Sequence, residues 1–396
     1  MNPAESAYPI IKWNEAGEAR SARWRSESAI PPPRRVVIAD DRTAADAAFR
    51  LARSGTAMLW RGDFQNARQL LQALVRRMEG KPVKASAAAS AAKISPAEAF
   101  QLHRQAQAQR ARTLAMLLLP LGADYSIPLR RAPDLRQACT EAYGVATDAA
   151  ASVVSLRELL GLIGAHEWRK KGVAVPALGD RIYPHYGVFA PIRSEYVGLV
   201  AAAPLPATDL AFDIGTGTGV LAAVLARRGV ARIVATDLDP RALACAGENI
   251  ARLGLAKQVA IEAADLFPAG RAPLVVCNPP WLPAQPSASI EAAVYDPDSR
   301  MLRGFIDGLA AHLTPQGEGW LVLSDLAEHL GLRSRAELLA AFDAAGLKVI
   351  GRSDVRPQHP RASDLTDPLH RARAAEVTSL WRLAVREGGR PAEGSV

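Results

Sequence analysis

Between residues 210 and 385 the apolar positions change period repeatedly, from short continuous runs to stripes at helical spacing. The runs at Leu210–Ile214, Arg232–Thr236, Gln258–Ala263, Pro273–Cys277, Gly319–Ser324, Lys348–Ile350 and Val377–Val385 read as strands. Between them Val220–Arg228, Pro240–Leu253, Ser299–Leu313 and Arg335–Ala345 read as helices, the second opened by a proline. Strands alternating with helices predict an α/β fold, a doubly wound and mostly parallel seven-stranded sheet. Ligands of such sheets sit at the carboxyl ends of the strands.

The first half follows a looser pattern. Residues 1–33 mix Trp13 and Trp24 with charges and end in Pro31-Pro32-Pro33, a composition that suits an extended arm. Arg35–Ala39 and Thr56–Trp60 read as strands around a helix at Ala44–Ala52. Phe64, Ala67, Leu70, Leu71, Leu74, Val75 and Met78 then recur at helical spacing, with Arg68, Arg76 and Arg77 on other faces. Lys81–Ala92 is almost all Ala, Ser and Lys and reads as a linker or a loose helix with little to bury. Pro96–Leu119, Asp134–Tyr143 and Val153–Leu162 read as helices. An α-rich accessory region over 34–180 is therefore expected, ahead of a ligand-binding domain over 181–386 and a disordered tail over 387–396.

Charge and cysteine content adjust this picture slightly. Lys and Arg outnumber Asp and Glu by 48 to 40, and the net +8 favours a polyanionic partner such as RNA or the ribosome, a solvated basic face being the plain alternative. Cys139, Cys245 and Cys277 are far apart, which suggests neither a disulfide framework nor a metal site. The N-terminus has no apolar signal region, and Leu114–Leu121 is short and broken by Pro120. A cytoplasmic protein without membrane or metal partners is expected.

The chemistry concentrates at strand ends. Asp213-Ile214-Gly215-Thr216-Gly217-Thr218-Gly219 ends a strand on an acid and follows it with three alternating glycines, which let a ligand lie against the main chain at a helix start. A dinucleotide fingerprint has Gly-x-Gly-x-x-Gly; here the third glycine comes one residue early. A carboxylate before the loop repels phosphates and suits an ammonium group, which points to S-adenosylmethionine. Asp237, with Leu238 beside it, ends the second strand where a ribose diol would donate two hydrogen bonds. Asp265 ends the third, where it suits an adenine amino group while Leu266 and Phe267 cover the ring. Each aspartate alone is also an ordinary cap or turn residue.

The fourth strand runs into Asn278-Pro279-Pro280-Trp281. Two prolines stop the strand and stiffen the loop. The Asn278 oxygen and the Pro279 carbonyl then accept the hydrogens of a planar NH2 group, with Trp281 packed on its plane. Just ahead of the glycine loop, residues 181–200 gather aromatics and prolines, with Ser194 placed to cap a helix at Glu195. His185 lies nearest for acid–base work and has no evident acid partner, and none is needed before attack by a neutral nitrogen.

Asp213–Gly219, Asp237, Asp265 and Asn278–Trp281 together resemble class I S-adenosylmethionine-dependent N-methyltransferases, and within them the methyltransferase small domain group. That group includes the HemK-type glutamine methyltransferases and several RNA base methyltransferases. Ala190-Pro191-Ile192-Arg193-Ser194-Glu195 is similar to the HemK-type Pro-Arg-Pro-Glu-Thr-Glu segment, and Tyr295-Asp296-Pro297 through Gly308-Leu309 to its Glu-Pro to Asp-Gly-Leu segment.

The resemblance covers residues 181–386 and implies a Rossmann-like methyltransferase sheet with S-adenosyl-L-methionine as cofactor. It implies cofactor contacts from Asp213, Gly215, Thr216, Gly217, Thr218, Gly219, Asp237, Leu238, Asp265, Leu266 and Asn278. Asn278, Pro279, Pro280 and Trp281 are the candidate catalytic residues, acting on a glutamine amide or an RNA base of the translation machinery. Trp281 stands where the HemK type usually has Tyr, Asp296 replaces its Glu, and the first 180 residues depart from its short helical N-terminal domain. A non-catalytic nucleic-acid-binding protein on the same fold is the alternative; an NAD-linked oxidoreductase needs the other glycine spacing.

Overall fold

The structure is a computed structural model that describes residues 8–386 apart from 29, 80–93, 147–149, 287–290, 292, 358–363 and 366. Two compact units emerge, Met1–Ile94 with Gln101–Glu167, and Ser95–Phe100 with Trp168–Val396. The linker expected at Lys81–Ala92 and the tail expected from 387 lie outside the described residues.

The first unit is built on strands β1 (Ile10–Glu15), β2 (Glu18–Arg25) and β3 (Arg35–Ala39), helix α1 (Ala45–Arg53), β4 (Thr56–Trp60), helix α2 (Phe64–Glu79) and, from Gln101 on, helix α3 (Pro96–Leu114). It continues with β5 (Leu117–Leu121), α4 (Arg136–Tyr143), β6 (Ser152–Ser155) and, as far as Glu167, α5 (Leu156–Lys171). Its six strands form one sheet in the order β1-β2-β6-β5-β4-β3, so the region expected to be α-rich is itself α/β.

Three local readings are corrected with it. The supposed arm is an antiparallel hairpin, turned at Ala16-Gly17 with both residues at positive φ, and Ile11 and Trp24 are buried. Leu117–Leu121 leaves the helix expected through Leu119 because it pairs with β4 and β6 in the sheet interior, where burial overrides helix propensity. Val153 and Val154 likewise belong to a strand, and the helix expected there starts at Leu156.

The second unit opens with the small pair β7 (Val173–Val175) and β8 (Asp180–Ile182), followed by α6 (Glu195–Ala202), β9 (Leu210–Ile214), α7 (Val220–Arg227), β10 (Arg232–Asp237) and α8 (Pro240–Arg252). Then come β11 (Val259–Ala263), β12 (Ala272–Cys277), α9 (Arg300–His312), β13 (Leu313–Ser324), α10 (Leu326–His329), α11 (Arg335–Ala344), β14 (Leu347–Val355), α12 (His370–Ala375) and β15 (Thr378–Val385). The sheet order is β11-β10-β9-β12-β13-β15-β14, with β15 running against the other six.

The central strands are apolar on both faces, which requires a helix layer on each side. Ala211, Leu274, Val276, Trp320 and Val322 face one core with α6 and α7; Phe212, Ile214, Val275, Cys277, Leu321 and Leu323 face the other with α9 and α11. Helix α7 has every residue from Val220 to Ala226 buried, so it is fixed beneath the glycine loop that starts it. The strand order reverses between the parallel neighbours β9 and β12, and the connections that leave them on opposite sides of the sheet open a crevice at their carboxyl ends.

Candidate functional site

The glycine loop leaves β9 at the centre of that crevice. Gly215, Gly217 and Gly219 have φ of 70°, 56° and 80°, which is left-handed backbone that other residues resist. Above Gly217 a Cβ would meet open space, while one on Gly215 would lie 2.2 Å from the Met301 methyl. The loop is closed by the Thr216 N–H donating to the Thr236 carbonyl at 2.8 Å and by Gly219 N–H donating to the Thr216 carbonyl at 2.9 Å.

Asp213 is 1% exposed, and its Oδ2 accepts from the Thr216 hydroxyl at 2.7 Å and from the Ala222 N–H at 3.1 Å. The carboxylate thus ties the loop to the first turn of α7. Burial raises its pKa from the ordinary 3.8 to about 6; those two hydrogen bonds oppose the rise and the nearby Asp237 charge adds to it. Thr216 and Thr218 are buried, with their polar groups directed into the loop's own support rather than outward: the Thr216 hydroxyl serves Asp213, and the Thr218 carbonyl accepts from Asn249.

Asp237, at the end of β10, accepts from the Gly217 N–H at 2.9 Å through Oδ2 and from the Asp239 N–H at 3.0 Å through Oδ1. Each oxygen keeps a further lone pair for a ligand hydroxyl. Leu238 beside it is 62% exposed, an apolar side chain held in solvent at the crevice. Asp265 is less committed to the loop: its Oδ2 pairs with Arg300 at 2.6 Å, and both side chains are more than half exposed. Leu266, at φ 75°, packs toward Gly304 on α9, and its carbonyl accepts from the Thr236 hydroxyl at 2.5 Å.

On the other side of the glycine loop, β12 and β9 pair in parallel with Cys277 opposite Ile214, so Asn278 and Gly215 follow at neighbouring strand ends. Pro279 is buried, and the loop is stapled to residues 294–296: the Leu282 N–H donates to the Val294 carbonyl at 3.1 Å and the Asp296 N–H to the Leu282 carbonyl at 2.8 Å. Asp296 in turn caps α9, accepting from the N–H groups of Met301 and Leu302 at 3.0 Å each. The Trp281 indole N–H donates to Asn278 Oδ1 at 3.0 Å, and its ring packs against both cores.

Two expectations are corrected. His185 does have an acid partner: Nε2 lies 2.5 Å from Glu248 on α8. Burial works to raise that carboxyl, but Arg252, His185 and Arg169 outweigh it and hold Glu248 down at about 2. Helix α6 starts at Glu195 as expected, yet Ser194 makes no capping bond, because its ψ of 4° is not the extended backbone that aims a cap side chain at the helix.

Asn249 supports the same loop although no motif marks it. It is 1% exposed and occupies a core position of α8, in the stripe Ala242, Cys245, Ala246, Asn249, Ile250. A polar residue inside an apolar stripe is the signal that would have found it.

The crevice fits S-adenosylmethionine. Open space lies above Gly217, an acid with spare lone pairs stands at the ribose position, an exposed leucine adjoins it, and Asn278 follows the end of the neighbouring strand. Residues 204–279 match the profile of the ribosomal protein L11 methyltransferase family. The chain is 34% identical over 169 residues to the release factor glutamine methyltransferase of Cereibacter sphaeroides, covering 39% of this chain and 58% of that protein.

It is 46% identical over 146 residues to the ribosomal protein L11 methyltransferase of Pelotomaculum thermopropionicum, covering 36% of this chain and 39% of the relative. A tRNA1(Val) (adenine(37)-N6)-methyltransferase of Shewanella loihica is 26% identical over 213 residues, covering 50% of this chain and 85% of that protein. The chain therefore spans only 58% and 39% of the length of the first two relatives.

Proposed function

We propose that this chain, whose second unit carries a class I S-adenosylmethionine-dependent methyltransferase domain, transfers a methyl group to a planar NH2 nitrogen of a translation-related macromolecule. The observation that carries the reading is the register of β9 and β12, which sets Asn278 beside Gly215. An acceptor for N–H hydrogens thus adjoins the loop that fits the cofactor. The relatives named for glutamine and for adenine N6 share that chemistry, a nitrogen flattened by conjugation.

When bound, S-adenosylmethionine supplies an activated methyl group on a sulfonium. The part of the chain is alignment: Asn278 Oδ1 and the Pro279 carbonyl hold the two hydrogens of the NH2 group and leave the nitrogen lone pair free for in-line attack. Orientation of this kind supplies about 7–11 kcal/mol, against about 0.5–1.5 for one ordinary hydrogen bond. The same acceptors favour the positive charge that grows on the nitrogen, and its proton can leave afterwards to water.

The charge divides unevenly between the units. The first holds 23 Lys and Arg against 15 Asp and Glu, while the second holds 25 of each. All of the +8 belongs to the first unit, which supports RNA, or an RNA-bearing particle, as its partner. The cysteines are free and buried, which suits a reducing cytoplasm, and among the described residues no helix is long and apolar enough to cross a membrane.

The test supplies radiolabelled S-adenosylmethionine and a lysate of cells lacking the protein, then treats the product with nuclease or protease. Label on a macromolecule that depends on Asn278 supports the proposal; equal labelling by Asn278→Ala rejects the assigned site. Label lost to nuclease identifies RNA, and label lost to protease identifies a protein substrate.

A further inference from the structure

We propose that the Trp281 indole N–H is a positioning group that fixes which end of the Asn278 amide faces the substrate, and so tunes the site to a hydrogen-bond donor such as NH2. The inference rests on the methyltransferase reading above.

An asparagine side chain is ambiguous by itself. Its oxygen and NH2 group have nearly the same shape, and a half-turn exchanges an acceptor for two donors. The indole nitrogen of Trp281, 3.0 Å away, can only donate, so the atom facing it must be the oxygen. A turned amide would lose that bond and set donor against donor.

The tryptophan is in no position to yield. Its ring touches the apolar clusters on both faces of the sheet, and the buried Pro279 and adjoining Pro280 restrict the main chain that carries it. Oδ1 keeps a second lone pair for the substrate. A substrate N–H therefore meets an acceptor whose orientation is already set, whereas a substrate carbonyl finds no donor at that oxygen. Phenylalanine at this position has nothing to donate, and a tyrosine hydroxyl both donates and accepts, so neither would impose the same orientation.

The experiment replaces Trp281 with 3-benzothienylalanine, which exchanges the N–H for sulfur and keeps the ring. Methyl transfer is measured with tritiated S-adenosylmethionine and unfractionated RNA and protein from cells lacking the chain. The maximal rate should fall about 5- to 10-fold, the weight of one neutral hydrogen bond, with the half-saturating substrate concentration, cofactor affinity and Tm unchanged. Trp281→Tyr should fall at least as far.

An unchanged rate overturns the proposal, as does a fall matched by lost cofactor affinity or Tm, which would make the bond merely structural. If the unsubstituted protein transfers no methyl to either pool, the methyltransferase reading fails instead. The positioning bond is then judged by nuclear magnetic resonance: the Trp281 indole proton should shift in Asn278→Ala, and an unmoved signal overturns it.

Discussion

Asn249 grips the main chain of Tyr183 in both directions: its Oδ1 accepts from the Tyr183 N–H at 2.8 Å, and its Nδ2 donates to the Tyr183 carbonyl at 3.2 Å. The same Nδ2 donates to the Thr218 carbonyl at 3.1 Å. One buried amide thus joins the segment before α6 to the last turn of the glycine loop, and the loop's shape depends on a helix three elements further along the chain.

Asn249→Leu should therefore damage binding as well as folding. It keeps the branching of the side chain, in a somewhat larger volume, and leaves the Tyr183 N–H, the Tyr183 carbonyl and the Thr218 carbonyl without this partner. Each such buried group costs about 1–3 kcal/mol, some of it recoverable by water. We expect a loss of about 2–4 kcal/mol by urea denaturation and a weakening of S-adenosylmethionine binding of about 10-fold by calorimetry. A loss of stability with full cofactor affinity would separate Asn249 from the loop.

The difference between what the sequence discloses and what it conceals follows the range of the interactions. Gly215–Gly219, Asp237 and Asn278–Trp281 are legible because each works within a few residues of a strand end, where backbone conformation follows directly from residue type. The seven strands are legible because both faces of the central ones are apolar. The Tyr183 partner of Asn249, the Glu248 partner of His185 and the Arg300 partner of Asp265 depend on groups 66, 63 and 35 residues apart meeting in space, and no local pattern records that. The β1–β2 hairpin was hidden for another reason: its Ala16-Gly17 turn lacks the Asn or Asp that usually announces one.

Gly215 offers a test of the loop's two constraints. An alanine there must hold φ near 70°, at about 1–2 kcal/mol, and must displace the Met301 methyl that lies 2.2 Å from its Cβ position. Met301 is the flexible end of a side chain, so the second cost is removable and the first is not. Gly215→Ala should lower stability by about 2–3 kcal/mol, and adding Met301→Ala should return about 1 kcal/mol of the steric part. A double-mutant cycle with no coupling between the two would show that Met301 gives way freely.

Asp213 gives the protein a pH signature. Its pKa rises from 3.8 in the unfolded chain to about 6 in the folded one, so the folded state holds the proton more tightly. Its contribution is fully present below about pH 4 and is lost as pH rises through about 6, by roughly 3 kcal/mol in all. Other carboxylates titrate in the same window, so the comparison is with Asp213→Asn. Urea midpoints measured from pH 4 to 7.5 should fall more steeply in the unsubstituted protein. A ligand ammonium near this carboxylate would favour its charged form, so cofactor binding should release a proton near pH 6, read by calorimetry in buffers of different ionisation enthalpy.

The concentration of positive charge in the first unit leads to a salt-dependence test of the RNA reading. Arg68 and Arg76 lie two turns apart on α2, both exposed, and so share one face of that helix. If that face contacts phosphates, the affinity of the full chain for a short RNA should fall linearly on a log–log plot against salt, each phosphate contact adding about 0.7–0.9 to the slope. Replacing both arginines with glutamate should weaken binding at low salt and flatten the slope by about 1.5, while cofactor affinity stays the same because the substitutions lie in the other unit. Binding that ignores both salt and the substitutions would remove α2 from the RNA path. Absence of RNA binding at low salt, together with label on protein alone, would assign the basic unit to a protein partner.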